Sequence, residues 1–478
     1  MSVALAPRPD TRPGADDQVT ALDRLELLCD PGSLALIRSE VISTTMGDKA
    51  RSGDGVVGGS GTVDGRPVFC YAQDPSFAGG SLGEAHANTI ARVLELADRG
   101  KAPVVGFVSS GGARMQEGIA ALGGYGRVFR RIVGLSGKVP QISIVTGLSA
   151  GGGAYSPALT DWVVMTEESS MFLTGPGVVR EALGEDVDAA QLGGTRVHKR
   201  NGVCQFVAED DFDAGRLARD LLGYLPSHSA AAPPRIEPRP PLAGDLDDIV
   251  PSEPRRVYDV RDVIATLVDG GAMLEVSSSW ARNLVCAMAR IDGRPVGVIA
   301  NQPRYLGGTL DTASSEKGAR FVNKCNAFGI PLVVLVDTPG FMPGTRQESS
   351  GVIRHGATLV HAFAHASVPR VTVILRKAFG GAFITMNSKD LGADYVFAWP
   401  DAEIGVMGAK PAVGVIHRRE LAVAEDPEAE RDRLAESYAE AQLRPQVAAA
   451  TGYVDELIAP GDTRGRLSWA LQSLGGAA

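Results

Sequence analysis

Asp64-Gly65-Arg66-Pro67-Val68 returns unaltered as Asp292-Gly293-Arg294-Pro295-Val296, 228 residues further along the chain. The same interval carries Gly79-Gly80-Ser81-Leu82 onto Gly307-Gly308-Thr309-Leu310, Ala91-Arg92 onto Ala319-Arg320, Pro103-Val104-Val105 onto Pro331-Leu332-Val333 and Gly112 onto Gly340. It also maps Gly152-Gly153-Ala154-Tyr155 onto Gly380-Gly381-Ala382-Phe383, so one offset is expected to hold over roughly ninety residues. Chance matches scatter in register; a fixed interval means two units of one architecture. Most of what is retained is glycine, which points to backbone geometry.

A chain of 478 residues, 44% apolar and 22% charged, has room for two or three ordinary globular domains. Its net charge of -9 argues against a nucleic acid or an anionic membrane as partner. Cys29, Cys70, Cys204, Cys286 and Cys325 lie far apart with no Cys-x-x-Cys, as expected of buried thiols in a reducing compartment. No apolar run suits a membrane span and no basic-then-apolar leader opens the chain, so the protein reads as cytoplasmic.

Residues 1–19, with Pro7, Pro9 and Pro13, are expected to be disordered. The first domain is placed at 20–225, a proline-rich linker at 226–254 and the second domain at 255–478. The second opens on a helix with Val257, Val260, Val263, Ile264 and Leu267 on one face, and from Arg418 it becomes charged and helical. In each copy a strand (67–71; 295–300) leads through Gly-Gly into a helix, with Ser81 or Thr312 as N-cap and Gly100 or Gly329 beyond its end. Two further strands follow, 103–108 and 141–146 in one copy, 331–336 and 370–375 in the other. That order predicts an α/β fold with largely parallel sheets.

Two glycine turns per copy follow strand ends, where open α/β sheets hold their ligands. In the first copy they are Ser110-Gly111-Gly112-Ala113-Arg114 and Ser149-Ala150-Gly151-Gly152-Gly153-Ala154. Free amides without a Cβ in the way suit a developing oxyanion; they also suit a tight turn with no ligand at all. Their presence in both copies favours the ligand. Ser149 lacks a Gly-x-Ser-x-Gly frame, and His361 with His365 has no third ligand, so neither a serine nucleophile nor a metal is expected. Arg114 is read either as a contact to CoA phosphate or as a salt-bridged structural residue.

The run Ser149 to Tyr155 resembles the crotonase superfamily, whose members stabilise a thioester enolate with two backbone N–H groups. Gly111 and Gly151 match its oxyanion positions, but Tyr155 and Gly177 stand where hydratases carry glutamates. Longer blocks are more specific. Ser110–Gly118 (SGGARMQEG), Asp337–Gly344 (DTPGFMPG), Lys377–Phe383 (KAFGGAF) and Val406–Lys410 (VMGAK) resemble the carboxyltransferase (β) subunits of biotin-dependent acyl-CoA carboxylases, propionyl-CoA carboxylase above all. The resemblance covers about residues 20–470 and implies two tandem crotonase-like (ClpP/crotonase) β-β-α superhelix domains related by internal duplication.

What this resemblance implies is transfer of a carboxyl group from carboxybiotin to the α-carbon of an acyl-CoA. The first domain would hold the acyl-CoA and the second domain of a partner subunit the biotin, in a homo-hexameric ring. Gly151 and Gly152, with Gly111 and Gly112 beside them, would hold the thioester oxygen; Gly381 and Ala382 would hold the ureido oxygen of biotin. Ala113, Arg114, Gly153, Tyr155, Gly340, Phe341, Gly380, Phe383 and Ile384 would contact substrate. No lysine lies between methionines and no phosphate loop is present, so ATP use and biotin attachment are assigned to a biotin carboxylase and a biotin carboxyl carrier on other chains. Ser109, Pro411 and Ile384 depart from the family pattern. Ile384 replaces a residue acidic in many propionyl-CoA carboxylases, which implies acceptance of longer or branched acyl chains. The reverse use, decarboxylation of malonyl- or methylmalonyl-type CoA esters, is an alternative. A noncatalytic scaffold is another, disfavoured by four intact glycine turns.

Overall fold

In the computed structural model, which describes residues 19–253 and 256–475, each Asp-Gly pair is the two-residue loop of a β-hairpin. Asp64 and Gly65 have φ of 50° and 75°; Asp292 and Gly293 have 52° and 73°. Two successive left-handed residues give the turn whose twist matches paired strands, and Asp-Gly adopts it at little cost.

Among the described residues the first unit forms an eight-stranded sheet from β1 (Ala35–Ile37), β2 (Val56–Val63), β3 (Arg66–Gln73), β4 (Val104–Ser110), β5 (Gln141–Ala150), β6 (Trp162–Thr166), β7 (Ser170–Phe172) and β8 (Phe206–Ala208). The second repeats it with β9 (Met273–Glu275), β10 (Leu284–Ile291), β11 (Arg294–Asn301), β12 (Leu332–Thr338), β13 (Arg370–Phe379), β14 (Tyr395–Ala398), β15 (Glu403–Gly405) and β16 (Glu456–Leu457). Strand order is β1-β2-β3-β4-β5-β6-β8 with β7 on β5, and β9-β10-β11-β12-β13-β14-β16 with β15 on β13. The sheets are mixed: the first three strands of each are antiparallel and the rest parallel. The expected parallel part is present, but β2 and β10 were not anticipated as strands. Val56–Val63 is broken by three glycines and lacks period-two alternation, while Leu284–Ile291 is buried throughout and shows none either.

The rest of the DGR motif is explained by a clamp built twice. Asp30 accepts the N–H groups of Asp64 (3.1 Å) and Gly65 (2.8 Å), and Asp269 accepts those of Asp292 (3.0 Å) and Gly293 (2.7 Å). Arg219 pairs with Asp30 and Asp64; Arg464 pairs with Asp269 and Asp292. Arg66 in turn donates to the carbonyls of Leu222 and Leu225, and Arg294 to that of Leu471, at the ends of helices Asp211–Tyr224 and Thr463–Leu474. Each hairpin thus ties the end of an early helix, Ala21–Leu28 or Val260–Leu267, to the last helix of its unit. Partial burial works against ionising Asp30, but Gly65, Arg219 and Thr62 together hold its carboxyl well below the usual range.

The chain divides into two compact units, with the break between Pro234 and Arg235 and, among the described residues, Ala327–Gly329 grouped out of order. From Arg235 the proline-rich tract lies along the second unit, Ile236 donating to Gly293, Leu242 to Ala265, and Pro240 accepting from Gly270. The expected disorder of the N-terminus falls on residues outside those described, apart from Val19. The helix after the tract is Val260–Leu267, its buried face Val260, Val263, Ile264 and Leu267; Val257 precedes the Asp259 cap and is exposed. Two expected caps are corrected. The first long helix begins at Glu84, not after Ser81, and Asp311 rather than Thr312 accepts the opening amide of the second, at Ser314. Gly100 is the last helical residue, with Lys101 taking the left-handed position. No described helix is long and apolar enough to cross a membrane. All five cysteines are buried and free.

The interval between the copies is not constant. β4 pairs with β5 as Val104↔Gln141 and Ser110↔Ser149, and β12 with β13 as Leu332↔Arg370 and Thr338↔Ala378. Gln141 therefore corresponds to Arg370 and Ser149 to Ala378, an interval of 229. The second copy has one more residue in the connection. There the single helix Ile119–Leu135 is replaced by Thr345–Ser349 and Val352–His365, broken at Gly351 (φ 82°). A surface connection absorbs an insertion, whereas a buried sheet cannot slip without turning its side chains over. Gly151, Gly152, Gly153 and Tyr155 consequently correspond to Gly380, Gly381, Ala382 and Ile384.

Candidate active site

Strand pairing brings the two glycine turns of each unit together. In the first unit β4 and β5 end side by side, so that a Cβ at Gly112 would lie 3.5 Å from the Ala150 carbonyl oxygen and one at Gly153 would lie 3.1 Å from Ser110 Cβ. Gly151 has φ 57° and Gly380 has φ 59°, which turns the chain sharply from strand into the short segments Gly152–Ala158 and Gly380–Thr385.

The amides are not equally available. Gly111 N–H donates to the Gly79 carbonyl (2.9 Å) and Gly151 N–H to that of Phe172 (3.0 Å), so both donors matched to the oxyanion positions are taken up by the fold. Gly112 N–H makes a longer bond, 3.3 Å, to Ser110 Oγ. Gly152 and Gly153 open a helical segment, where an amide has no carbonyl behind it within the helix. In the corrected register they are the counterparts of Gly381 and Ala382. The pair Gly152 and Gly153 lies one residue on from Gly151 and Gly152. Ser149 is no nucleophile: fully buried, its hydroxyl donates to the Gly153 carbonyl at 2.9 Å.

Of the two readings of Arg114, the geometry fits the salt-bridged one. Its side chain is buried to the last atom and donates to Asp54 Oδ1 (2.5 Å), Glu117 Oε1 (2.9 Å), Ser81 O (2.9 Å) and Asp54 O (3.2 Å). Glu117 meanwhile accepts Ser43 Oγ (2.8 Å) and the Glu84 amide (2.6 Å), supplying the cap that Gly83 lacks. An arginine so enclosed cannot reach a CoA phosphate. It locks the Ser110–Arg114 turn to helix Glu84–Gly100. Behind the turn, Gln73 accepts the Ser109 amide and bonds His86, whose imidazole is pushed down to about 3 by full burial and is neutral.

The second unit answers with different side chains. Asp337, the counterpart of Ser109, accepts from Tyr258 Oη (3.0 Å) and Arg376 Nε (3.1 Å), and Arg376 also donates to the carbonyls of Pro251, Glu253 and Arg256. Burial pushes the Asp337 carboxyl up and the Lys377 ammonium down, each charge opposing the other's shift. Gly340, φ 137°, is the counterpart of Gly112, and Phe341 of Ala113; both pairs continue into matching bridges, Leu82↔Ala113 and Leu310↔Phe341. Tyr155 and Ile384 are half exposed, at 51% and 50%, in equivalent places; Phe383 is partly exposed. Tyr125, Asp54, Glu117 and Arg376 carry much of this geometry and were not singled out from sequence, because each also bonds a partner 15 to 125 residues away.

The carboxyl transferase domain model matches residues 15–475, nearly the whole chain. The chain belongs to the carboxyl transferase domain family. It is 48% identical over 460 residues to the methylmalonyl-CoA carboxyltransferase 12S subunit of Propionibacterium freudenreichii subsp. shermanii, covering 95% of this chain and 88% of that one. To the propionyl-CoA carboxylase beta chain of Saccharopolyspora erythraea it is 48% identical over 476 residues, covering 95% and 87%. The crystal structure of transcarboxylase 12S, a hexamer described with methylmalonyl-coenzyme A and methylmalonic acid bound, superimposes with a TM-score of 0.93 over 95% of this chain and 89% of that one. This family member is a carboxyltransferase subunit of an acyl-CoA carboxylase, an enzyme of carboxyl transfer to or from acyl-CoA. Two mixed sheets of one strand order are the expected duplicated α/β fold.

Proposed function

We propose that this chain carboxylates short and medium acyl-CoA thioesters at the α-carbon, using carboxybiotin presented by a carrier on another chain. The observation that carries the reading is the equivalence of Gly152-Gly153 and Gly381-Ala382 at matching strand ends of two like units. Carboxybiotin would supply the carboxyl group and, once relieved of it, the base that removes the α-proton. The protein's share is electrostatic. Gly152 and Gly153 N–H hold the thioester oxygen as negative charge develops on it, and Gly381 and Ala382 hold the ureido oxygen. The small, uncluttered Gly381 suits a flat ureido ring. The division of labour follows the domain reading, acyl-CoA at the unit ending at Pro234 and biotin at the unit after it, in a homo-hexamer; the 12S relative is described as a hexamer.

The name of that relative favours a second direction, in which a methylmalonyl-type CoA ester gives up its carboxyl group. Reconstitution with a biotin carboxylase, a biotinylated carrier, ATP and bicarbonate, beside methylmalonyl-CoA with free biotin, separates the two. Carboxylation of propionyl-CoA is the expected result. Decarboxylation without carboxylation, or an active monomer of about 50 kDa, overturns the proposal.

Ile384 is proposed to set acyl-chain choice. A branched apolar side chain offers surface for further methylenes, each worth about 0.8 kcal/mol when buried. Butyryl-CoA or longer is therefore accepted beside propionyl-CoA, with acetyl-CoA poorest, and Ile384→Asp shifts preference towards propionyl-CoA. The measurement is kcat/KM across acetyl-, propionyl-, butyryl- and hexanoyl-CoA. An identical ranking in wild type and variant removes the assignment.

A further inference from the structure

Beneath the first unit's site a single side chain touches both glycine turns. Tyr125, on helix Ile119–Leu135, is almost completely buried, and its ring lies so close under Gly152 that a Cβ there would sit 2.8 Å from ring atoms Cγ, Cδ1 and Cδ2. Its hydroxyl is 3.1 Å from Ser110 Oγ, the same oxygen that accepts the Gly112 amide. The ring is held in turn by Phe129, centroids 5.6 Å apart, and Phe129 meets Tyr155 edge-on at 6.2 Å.

The second unit places a ring in the same spot by another route. A Cβ at Gly381, the counterpart of Gly152, would lie 3.7 Å from Phe341 Cδ2, and one at Gly356 would lie 3.3 Å from Phe341 Cε1 and Cζ. Phe341 belongs to the glycine turn itself, whereas Tyr125 comes from the neighbouring helix. An aromatic ring under the first residue of the donor segment is thus common to both units, and the hydroxyl link to the other turn belongs to the first unit.

We propose that Tyr125 is a positioning residue for carboxyl transfer: its ring fixes the height of the Gly152 amide and its hydroxyl, through Ser110, fixes the turn at Gly112, so that one rigid side chain sets the spacing of the two turns. This rests on the assignment of the Gly152 and Gly153 amides to the thioester oxygen. Burial raises the phenol, and its hydrogen bond to Ser110 opposes that only in part, so the hydroxyl stays protonated at working pH and acts as a spacer, not as an acid or base. A flat ring suits the role because it is incompressible across its face and has few rotamers. A donor displaced by about 1 Å costs on the order of 10²-fold in rate.

The test compares Tyr125→Phe and Tyr125→Leu in the full protein, reconstituted with its biotin carboxylase and carrier. Tyr125→Phe keeps the ring and the core packing; its kcat falls less than about tenfold. In Tyr125→Leu kcat falls on the order of 10²-fold. In both, KM for propionyl-CoA stays within about threefold of wild type, because a spacer acts on the oxygen where charge develops and not on the bulk of the CoA. Equal kcat losses in the two variants, a rise in KM at constant kcat, or wild-type rates in both overturn the role. A wild type inactive with every acyl-CoA sinks the reading of the site instead, while an active wild type with unaffected variants sinks only the role of Tyr125.

Discussion

Gly152→Val is expected to lower turnover on the order of 10²-fold or more while the protein still folds. The first β-carbon already meets the Tyr125 ring at 2.8 Å, below any normal carbon contact, and that ring is packed against Phe129 and the helix behind it. The strain is relieved only by lifting the segment Gly152–Ala158, which moves both proposed donors off the thioester oxygen. Gly126→Ala is the built-in comparison. Its Cβ would meet nothing within 4 Å, so kcat should stay within about threefold of wild type. Steady-state kinetics with propionyl-CoA, on variants with wild-type circular dichroism, supply the check. A Gly152→Val enzyme with near-normal kcat would remove the donor assignment, and equal losses at both glycines would remove the steric explanation.

Arg114→Leu should destabilise the first unit by about 3–5 kcal/mol, because two buried carboxylates lose the cation between them. Asp54 and the guanidinium are both completely buried, and Glu117 is nearly so. Burial pushes the Asp54 carboxyl up and Arg114 opposes it; without the arginine, Asp54 is neutral at higher pH still. Glu117 behaves oppositely. Burial works against its charge, but the Glu84 amide, Ser43 and Arg114 outweigh it and hold its carboxyl below the usual range. The stability Glu117 contributes is therefore present above its unfolded pKa and lost as the pH falls through the folded one. Denaturant midpoints measured from pH 7 down to pH 2 read both effects: the variant starts lower and loses less on acidification. A loss under about 1 kcal/mol at pH 7 would mean that the triad does not hold the turn to its helix.

The Asp-Gly turns show what is readable from a chain alone. A residue's own φ preference does not wait for a partner, so two left-handed positions at Asp64-Gly65 and again at Asp292-Gly293 were written in the residue types, and the repeat of the motif announced a repeat of the unit. The buried strands β4 and β12 were legible for a similar reason, since a run of β-branched residues needs only to be enclosed. The glycine turns beyond them were found, and the family blocks around them named the chemistry. β2 was missed because its glycines serve packing: a Cβ at Gly58 or Gly59 would strike Val93 or the Ala35 carbonyl.

Sequence by itself therefore determined that two like α/β units lie in tandem, that each sets glycine turns at strand ends, and that the blocks between them are those of a carboxyltransferase. The tertiary structure alone decided which amides remain available, because the acceptors that take Gly111 and Gly151 out of play, Gly79 and Phe172, arrive from elsewhere in the chain, one from the turn after β3 and one from the end of β7. It also decided that Arg114 holds Asp54 rather than a ligand, that Tyr125 lies under Gly152, and that the two copies shift from an interval of 228 to 229 between β4 and β5. The physical reason is common to all of these. Backbone conformation is a property of one or two neighbouring residues, whereas a hydrogen bond, an ion pair or a close contact is a property of two segments, and their meeting is known only once the sheet has set its register.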